Sequence, residues 1–365
     1  LLTPESPMTA DSVYEVVVAA TVADVMNNTV GEAITLSFRT QKDINALPAL
    51  ENDQGQVELS LNGMWDFAAD PQDVGQAQGW YTLENTEGWD SLPVPGNWDL
   101  ENDYANYKGT GWYGRTFTMP AEYEGYPAYL NLTAVYHDSR IWINGREVGS
   151  HDGGYTTFEF RVDSYLNYGG ENTIAIQVNN EFSYGAWWKW GGISGDALLR
   201  VNNASKIEWQ HITSEPNLED GTADITFQYK INNQAAVDKT YTVISEVYDR
   251  ATGELVGAQT TPVTVHPTAQ DDDQRFDSAV LTLSDVKLWH FEDPNLYTVR
   301  TRLMDGNTVL HTAEDDIGIR KIEIKDTRFY LNGEQVRLTG ANRVWDDRAN
   351  GQTEPDYVIM RDIDY

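Results

Sequence analysis

The sequence predicts a mostly β chain: two β-sandwiches in series, then the first β/α unit of a (β/α)8 barrel that is left incomplete. Three observations predict it. Apolar residues recur with period two in short runs. Those runs are separated by Gly, Asn, Asp and Pro at the spacing of sandwich strands. After Gly318 the pattern changes to a hairpin, a long loop and a helix start.

The alternation is clearest over 128–144 (AYLNLTAVYHDSRIWIN), which reads as two strands. The second ends in Asn144-Gly145, a pair that tolerates the positive φ of a type I′ turn. The runs 173–178, 223–231, 241–247 and 296–303 repeat the pattern. Residues 328–338 (RFYLNGEQVRL) read as a hairpin turning at Asn332-Gly333 and leading into a short strand over 336–340. Next, Thr353-Glu354-Pro355-Asp356 has the chemistry of a helix start, with Thr353 as N-cap and Pro355 in the first turn. Tyr357, Met360 and Ile363 follow at helical spacing. A full barrel needs on the order of 250 residues, far more than follow Gly318.

These elements divide the chain into an amino-terminal extension (1–55), a tryptophan-rich sandwich (56–203), a smaller immunoglobulin-like sandwich (204–318) and the start of a barrel (319–365). Asp271, Asp272 and Asp273 fall in a loop of the second sandwich; a solvated turn is the expected reading, calcium the other.

With 57 acidic and 25 basic residues the net charge is −32. Such a surface repels phosphate backbones and anionic lipid heads, so nucleic acid and membrane partners are not expected. No apolar run is long enough to span a bilayer. There is no cysteine, which excludes disulfides, zinc thiolates and thiol nucleophiles. The apolar stretch 16–25 is interrupted by Asp24 and lacks a basic region before it, so it makes a poor signal peptide. The first residue is Leu1, which suggests a processed or trimmed start. His137, His151 and His211 have no metal-ligand spacing, and no phosphate loop, dinucleotide fingerprint or Ser–His–Asp arrangement stands out.

Several segments, in order, resemble the family 2 glycoside hydrolases. They are 61–67 (LNGMWDF), 94–98 (VPGNW), 111–117 (GWYGRTF), 141–149 (IWINGREVG) continuing into 151–158 (HDGGYTTF), 187–193 (WWKWGGI), 318–320 (GIR) and 340–343 (GANR). The resemblance covers about 56–365. It implies a jelly-roll sugar-binding domain, an immunoglobulin-like domain and a barrel carrying two catalytic glutamates. It implies a retaining exo-β-glycosidase of β-galactosidase or β-glucuronidase type. Two positions depart from the family pattern: Ala186 replaces an Asp and Val344 a His. The first of these favours the β-galactosidase type.

Retaining glycosidases use two carboxyl groups about 5–5.5 Å apart. The family places both on later barrel strands, beyond residue 365, so no catalytic residue is assigned to this chain, which by itself is expected to be inactive. The candidate substrate-binding residues are Asp152, Trp187, Asn342, Arg343, Asp346 and Asp347. Arg343 and Asn342 sit where the first barrel strand would end. Either the guanidinium holds a nucleophilic carboxylate ionised, or both residues fix a turn. Asp346 and Asp347 suit sugar hydroxyls or plain solvation. Asp152 lies in a loop that reaches the barrel pocket in some family members, or else braces Gly153-Gly154. Trp187, with Trp188 and Trp190, offers faces for stacking on sugars or for a sandwich core.

The expected partner is an oligo- or polysaccharide, in a homo-oligomer of the periplasm or the extracellular space. No cofactor is read from the residues; the resemblance raises magnesium or sodium without an identifiable ligand set. Two other classes compete with the enzyme: a free carbohydrate-binding module, and a structural sandwich protein whose residues 1–55 add a strand to a neighbouring edge.

Overall fold

The computed structural model describes residues 8–9, 12–22, 31–40, 47–50, 52, 54–181, 190–344, 346 and 348–363. The chain forms two compact units, Leu1–Pro48 and Ala49–Tyr365. In the first, β1 (Val13–Val18) pairs antiparallel with β2 (Ile34–Arg39), setting Val16 opposite Leu36 and Val18 opposite Ile34.

The second unit opens with ten strands: β3 (Gln56–Ser60), β4 (Gly63–Asp70), β5 (Asp90–Val94), β6 (Thr110–Met119), β7 (Ala128–Leu132), β8 (Asp138–Ile143), β9 (Arg146–Asp152), β10 (Phe158–Arg161), β11 (Gly170–Asn179) and β12 (Ala197–Asn202). They make a four-stranded sheet, β10-β7-β12-β3, and a six-stranded sheet, β5-β4-β6-β11-β8-β9. Alternation decides which face is covered. Ile174, Ile176 and Val178 are fully buried between the sheets with Phe67, Tyr113, Ile141, Leu130 and Val201, whereas Gln177 and Asn179 point the other way. Asn144 and Gly145 join β8 to β9 with φ of 51° and 73°, as the type I′ reading requires.

The excursion between β4 and β5 covers part of the outer face of the larger sheet. There Trp112, Trp142 and Ala175 are buried under Trp80, Tyr81, Leu83 and Trp89. Tyr81 stacks on Trp142 with ring centres 5.5 Å apart.

The second sandwich comprises β13 (Ser205–Asn217), β14 (Thr222–Asn233), β15 (Lys239–Asp249), β16 (Leu255–Val265), β17 (Arg275–Asp277), β18 (Leu281–Leu283), β19 (Tyr297–Asp305) and β20 (Thr308–Ile317). One sheet runs β13-β14-β17, with β18 also on β14; the other runs β16-β15-β19-β20. Ile225, Phe227 and Ile231 of β14 meet Val243, Val247, Val299 and Leu303 in its core. Ser245 and Thr301 interrupt the apolar alternation and are fully buried. Their hydroxyls close a chain with Tyr229, at 2.8 Å to Ser245 and 2.7 Å on to Thr301, so the polar groups are satisfied. Asp271, Asp272 and Asp273 lie in an exposed loop, where Asp273 pairs with Arg275 at 3.1 Å.

Three short strands follow: β21 (Ile322–Lys325), β22 (Arg328–Leu331) and β23 (Glu334–Val336), one sheet in that order. Asn332 and Gly333 turn the hairpin with φ of 53° and 84°. The expected strand over 336–340 does not form. Strand β23 ends at Val336, and Arg337 to Gly340 are exposed, with no strand beside them among the described residues. An extended run without a ladder partner gains nothing from pairing. The helix, α1 (Asp356–Ile363), begins later than Thr353. The Thr353 hydroxyl instead donates to the Asn350 carbonyl at 2.6 Å, and Pro355 stands just before the helix. Val358 is its buried residue, while Tyr357, Met360 and Ile363 are exposed.

Candidate functional site

The segment between β23 and α1 is anchored on loops of the first sandwich. The anchor starts with the turn after β5. Trp98 is completely buried, and its backbone N–H donates to the Gly191 carbonyl at 3.0 Å. The Gly191 N–H in turn donates to Asp99 Oδ2 at 2.6 Å, and Lys108 balances Asp99 from 3.6 Å. Only glycine fits at 191, because a Cβ there would stand 2.1 Å from the Trp98 ring.

The segment between β23 and α1 is fastened to the first sandwich at three points. Trp190 Nε1 donates to Asp346 Oδ2 at 2.8 Å. The Gln352 N–H donates to Asn97 Oδ1 at 2.8 Å, and Gln352 Nε2 donates to the Tyr155 hydroxyl at 2.8 Å. Tyr155 leans on Tyr136, with ring centres 5.5 Å apart.

Arg343 is held within its own segment. Its Nη2 lies 2.7 Å from Glu354 Oε2 and 2.8 Å from Asp362 Oδ2. The Glu354 side chain is 1% exposed, so this guanidinium is the counter-charge of a buried carboxylate. Glu354, and Asp362 after it, raise the Arg343 pKa above its ordinary value. Arg361 and Arg343 together hold the Asp362 carboxyl below the usual range. A guanidinium gripping carboxylates is the chemistry expected of Arg343, but the carboxylates it grips here are local.

The six candidate positions therefore separate. Asp346 joins Trp190, and Arg343 joins Glu354 and Asp362. Asn342 is exposed on the intervening segment. Asp152 is not in a loop: it ends β9 as the ladder partner of Asp138, on the outer face of the six-stranded sheet. Trp187, Trp188 and Asp347 lie outside the described residues. Sequence reading missed Asn97, Asp99, Tyr155 and Gln352. The first three sit inside or beside segments already singled out, 94–98 and 151–158, but nothing in the local pattern distinguishes Gln352. Among the described residues no three His, Asp or Glu side chains are grouped to hold a metal ion, so no step is built on magnesium or sodium.

Residues 59–197 match the sugar binding domain of glycosyl hydrolases family 2, and residues 205–320 match a second domain of the same family. The chain belongs to glycosyl hydrolases family 2. Its similarity to curated members of that family extends past both domains. A β-galactosidase of Priestia megaterium is 29% identical over 366 residues, covering 90% of this chain and 34% of that protein. A putative β-glucuronidase of Formosa agariphila is 29% identical, covering 80% of this chain and 28% of that protein. The family 2 chain thus spans about a third of the length of these relatives. The solved apo structure of β-glucuronidase from Ruminococcus gnavus shares its fold, with a TM-score of 0.72 at 22% identity over 87% of this chain and 55% of that one.

Proposed function

We propose that this family 2 chain is the amino-terminal part of a retaining exo-β-glycosidase that removes terminal β-linked sugars, and that the two catalytic carboxylates lie beyond residue 365. The observation that carries the reading is the triple fastening of the barrel-start segment to the first sandwich through Asp346, Gln352 and their partners. A sandwich that orders the first residues of a barrel supplies the positional precision that glycoside cleavage needs. In this reading Asn342 and Arg343 stand near the barrel mouth, and Trp187 and Asp347 contribute to substrate binding. The substrate is an oligo- or polysaccharide. β-Galactosidase and β-glucuronidase types are equally supported by the named relatives. The assembly is a homo-oligomer acting in the periplasm or outside the cell; light scattering and fractionation test those two points.

The deciding experiment is hydrolysis of a panel of nitrophenyl β-glycosides by this 365-residue chain and by a version extended through a complete barrel. The extended protein should turn over the galactoside or the glucuronide while the present chain is inert. Turnover by the present chain would overturn the placement of the catalytic carboxylates.

A further inference from the structure

The two matched family domains end at residue 320, and the sheet β21-β22-β23 belongs to neither. Register sorts its residues by polarity. Ile322 stands opposite Leu331, and Ile324 opposite Phe329, which in turn stands opposite Val336. Directly opposed residues of an antiparallel sheet share a face, so these five apolar side chains lie on one side. The other side carries Glu323, Lys325, Arg328 and Gln335 and is internally satisfied. Glu323 pairs with Lys325 at 3.0 Å and with Lys321 at 3.7 Å, and Arg328 donates to Gln335 Oε1 at 3.0 Å.

The apolar side is fully covered only at its root. Leu331 is 2% exposed, next to the turn that Asn332 ties to the Trp289 carbonyl at 3.0 Å. Farther out, Ile322, Ile324 and Phe329 are 62%, 69% and 40% exposed. The imbalance continues along the chain. Among the described residues, 322–363 expose eight large apolar side chains, as many as the far longer stretch 56–317. A bare apolar side on a sheet whose polar side is already paired marks a surface that another body covers. On the reading that the chain continues into a barrel, we propose that this side of β21-β22-β23 seats against that barrel and closes the end opposite its mouth.

Connectivity selects the end. Strand β23 stops at Val336, and the chain runs straight on through 337–341 to Asn342 and Arg343 on the mouth side. An element that feeds the first barrel strand from its amino end lies at the bottom of the barrel, where packing serves stability rather than chemistry. Length supplies the partner, because about two thirds of each matched relative lies outside the match. Area argues against a second copy of this chain. Three strands of four residues, at about 4.8 Å between strands and 3.4 Å per residue, present only about 200 Å2. A stable interface needs about 800 Å2 from each partner. The net charge of −32 adds repulsion between copies, whereas a covering from the same chain has no association entropy to overcome.

The test is carbene footprinting of the 365-residue chain beside a version extended through a complete barrel. On extension, labelling of Ile324 and Phe329 should fall by about fivefold or more, to the level of core side chains. Lys325 and Gln335, on the polar side, should label equally in both proteins. In the extended protein Ile324→Asp puts a charge under the cover and should lower Tm by about 5 °C or more. Ile324→Ala is the gentler variant should the charged one not fold, and it should lower Tm by less. Lys325→Ala should leave Tm where it is. KM for nitrophenyl glycosides should be the same in all of them, since the mouth is at the other end. Labelling unchanged by extension, or both Ile324 variants without effect on Tm, would overturn the proposal. So would labelling of the present chain that falls as its concentration rises, which would give the face to a second copy. Footprinting and unfolding are read without hydrolysis, so an extended protein that is covered but inactive counts against the glycosidase reading alone.

Discussion

Asn97 Oδ1 accepts a 2.8 Å hydrogen bond from the backbone N–H of Gln352, so a carboxamide of the first sandwich fixes the main chain of the segment between β23 and α1 across 255 positions of sequence. Both residues are buried, Asn97 at 5% and Gln352 at 7% exposed. A buried N–H with one acceptor depends on that acceptor, because water cannot replace it.

Asn97→Ala removes the acceptor and strands the Gln352 N–H. The expected cost is about 1–3 kcal/mol, the usual penalty of one unsatisfied buried donor. The loss should be local. Hydrogen exchange at Gln352 should accelerate, and trypsin should cut at Arg348 sooner, while the sandwich strands keep their protection.

Gly351 faces two demands at once. Its φ is +59°, and a Cβ would stand 2.5 Å from Asn97 Oδ1. Gly351→Ala should therefore release the same segment. In the double variant with Asn97→Ala, the clash partner is gone, so the two losses should be less than additive. Thermal unfolding of the four proteins in the cycle gives the coupling. Strict additivity would show that the contact does not govern the anchor.

How far the fold was legible follows from these particulars. Strands such as β11 and β14 declare themselves because one face is buried and period two is enforced by the core. The turns at Asn144-Gly145 and Asn332-Gly333 were readable because positive φ restricts the residue types there. The strand expected over 336–340 was not, since pairing depends on a neighbour that local sequence does not contain. The anchor was half legible. Asn97 and Tyr155 lie in segments that carry the family resemblance, yet their partner Gln352 meets Asn97 through a backbone N–H, which every non-proline residue has, and Tyr155 through a carboxamide that no local pattern marks. Asp152 was misplaced because the hairpin that turns at Asn144-Gly145 stays paired as far as Asp138 and Asp152, and the turn residues do not set how long a hairpin runs.

Arg343 should prove to be a positioning residue for α1. Arg343→Met leaves the buried Glu354 carboxylate without its 2.7 Å counter-charge. The Val358 amide, which donates to the Pro355 carbonyl at 2.9 Å, should then exchange faster. Adding Glu354→Gln removes the orphaned charge and should restore much of the protection. If the single variant leaves Val358 exchange unchanged, the ion pair does not hold the helix.

The stability of the second unit should fall on mild acidification through one imidazole. His311, on β20, is 9% exposed and sits where the two sandwiches meet. Beside it the Thr312 N–H donates to the Gln54 carbonyl at 3.0 Å, and Asn203 Nδ2 donates to the Leu310 carbonyl at 2.8 Å. Burial, and then the Lys206 ammonium, lowers the His311 pKa from 6.5 to about 4. Lys206 is itself pinned by Glu159 at 3.0 Å, so the positive charge stays in place. Between pH 6.5 and 4 the unfolded chain therefore takes up a proton that the folded chain refuses. The stability linked to this group is fully present above pH 6.5 and is lost as the pH falls towards 4. A shift of this size corresponds to roughly 3 kcal/mol. Urea unfolding at intervals between pH 7 and 4 should show that slope, and His311→Gln should flatten it. Carboxylates protonate mainly below about pH 5, so the upper part of the window isolates the imidazole. An unchanged slope in His311→Gln would assign the acid sensitivity to other groups.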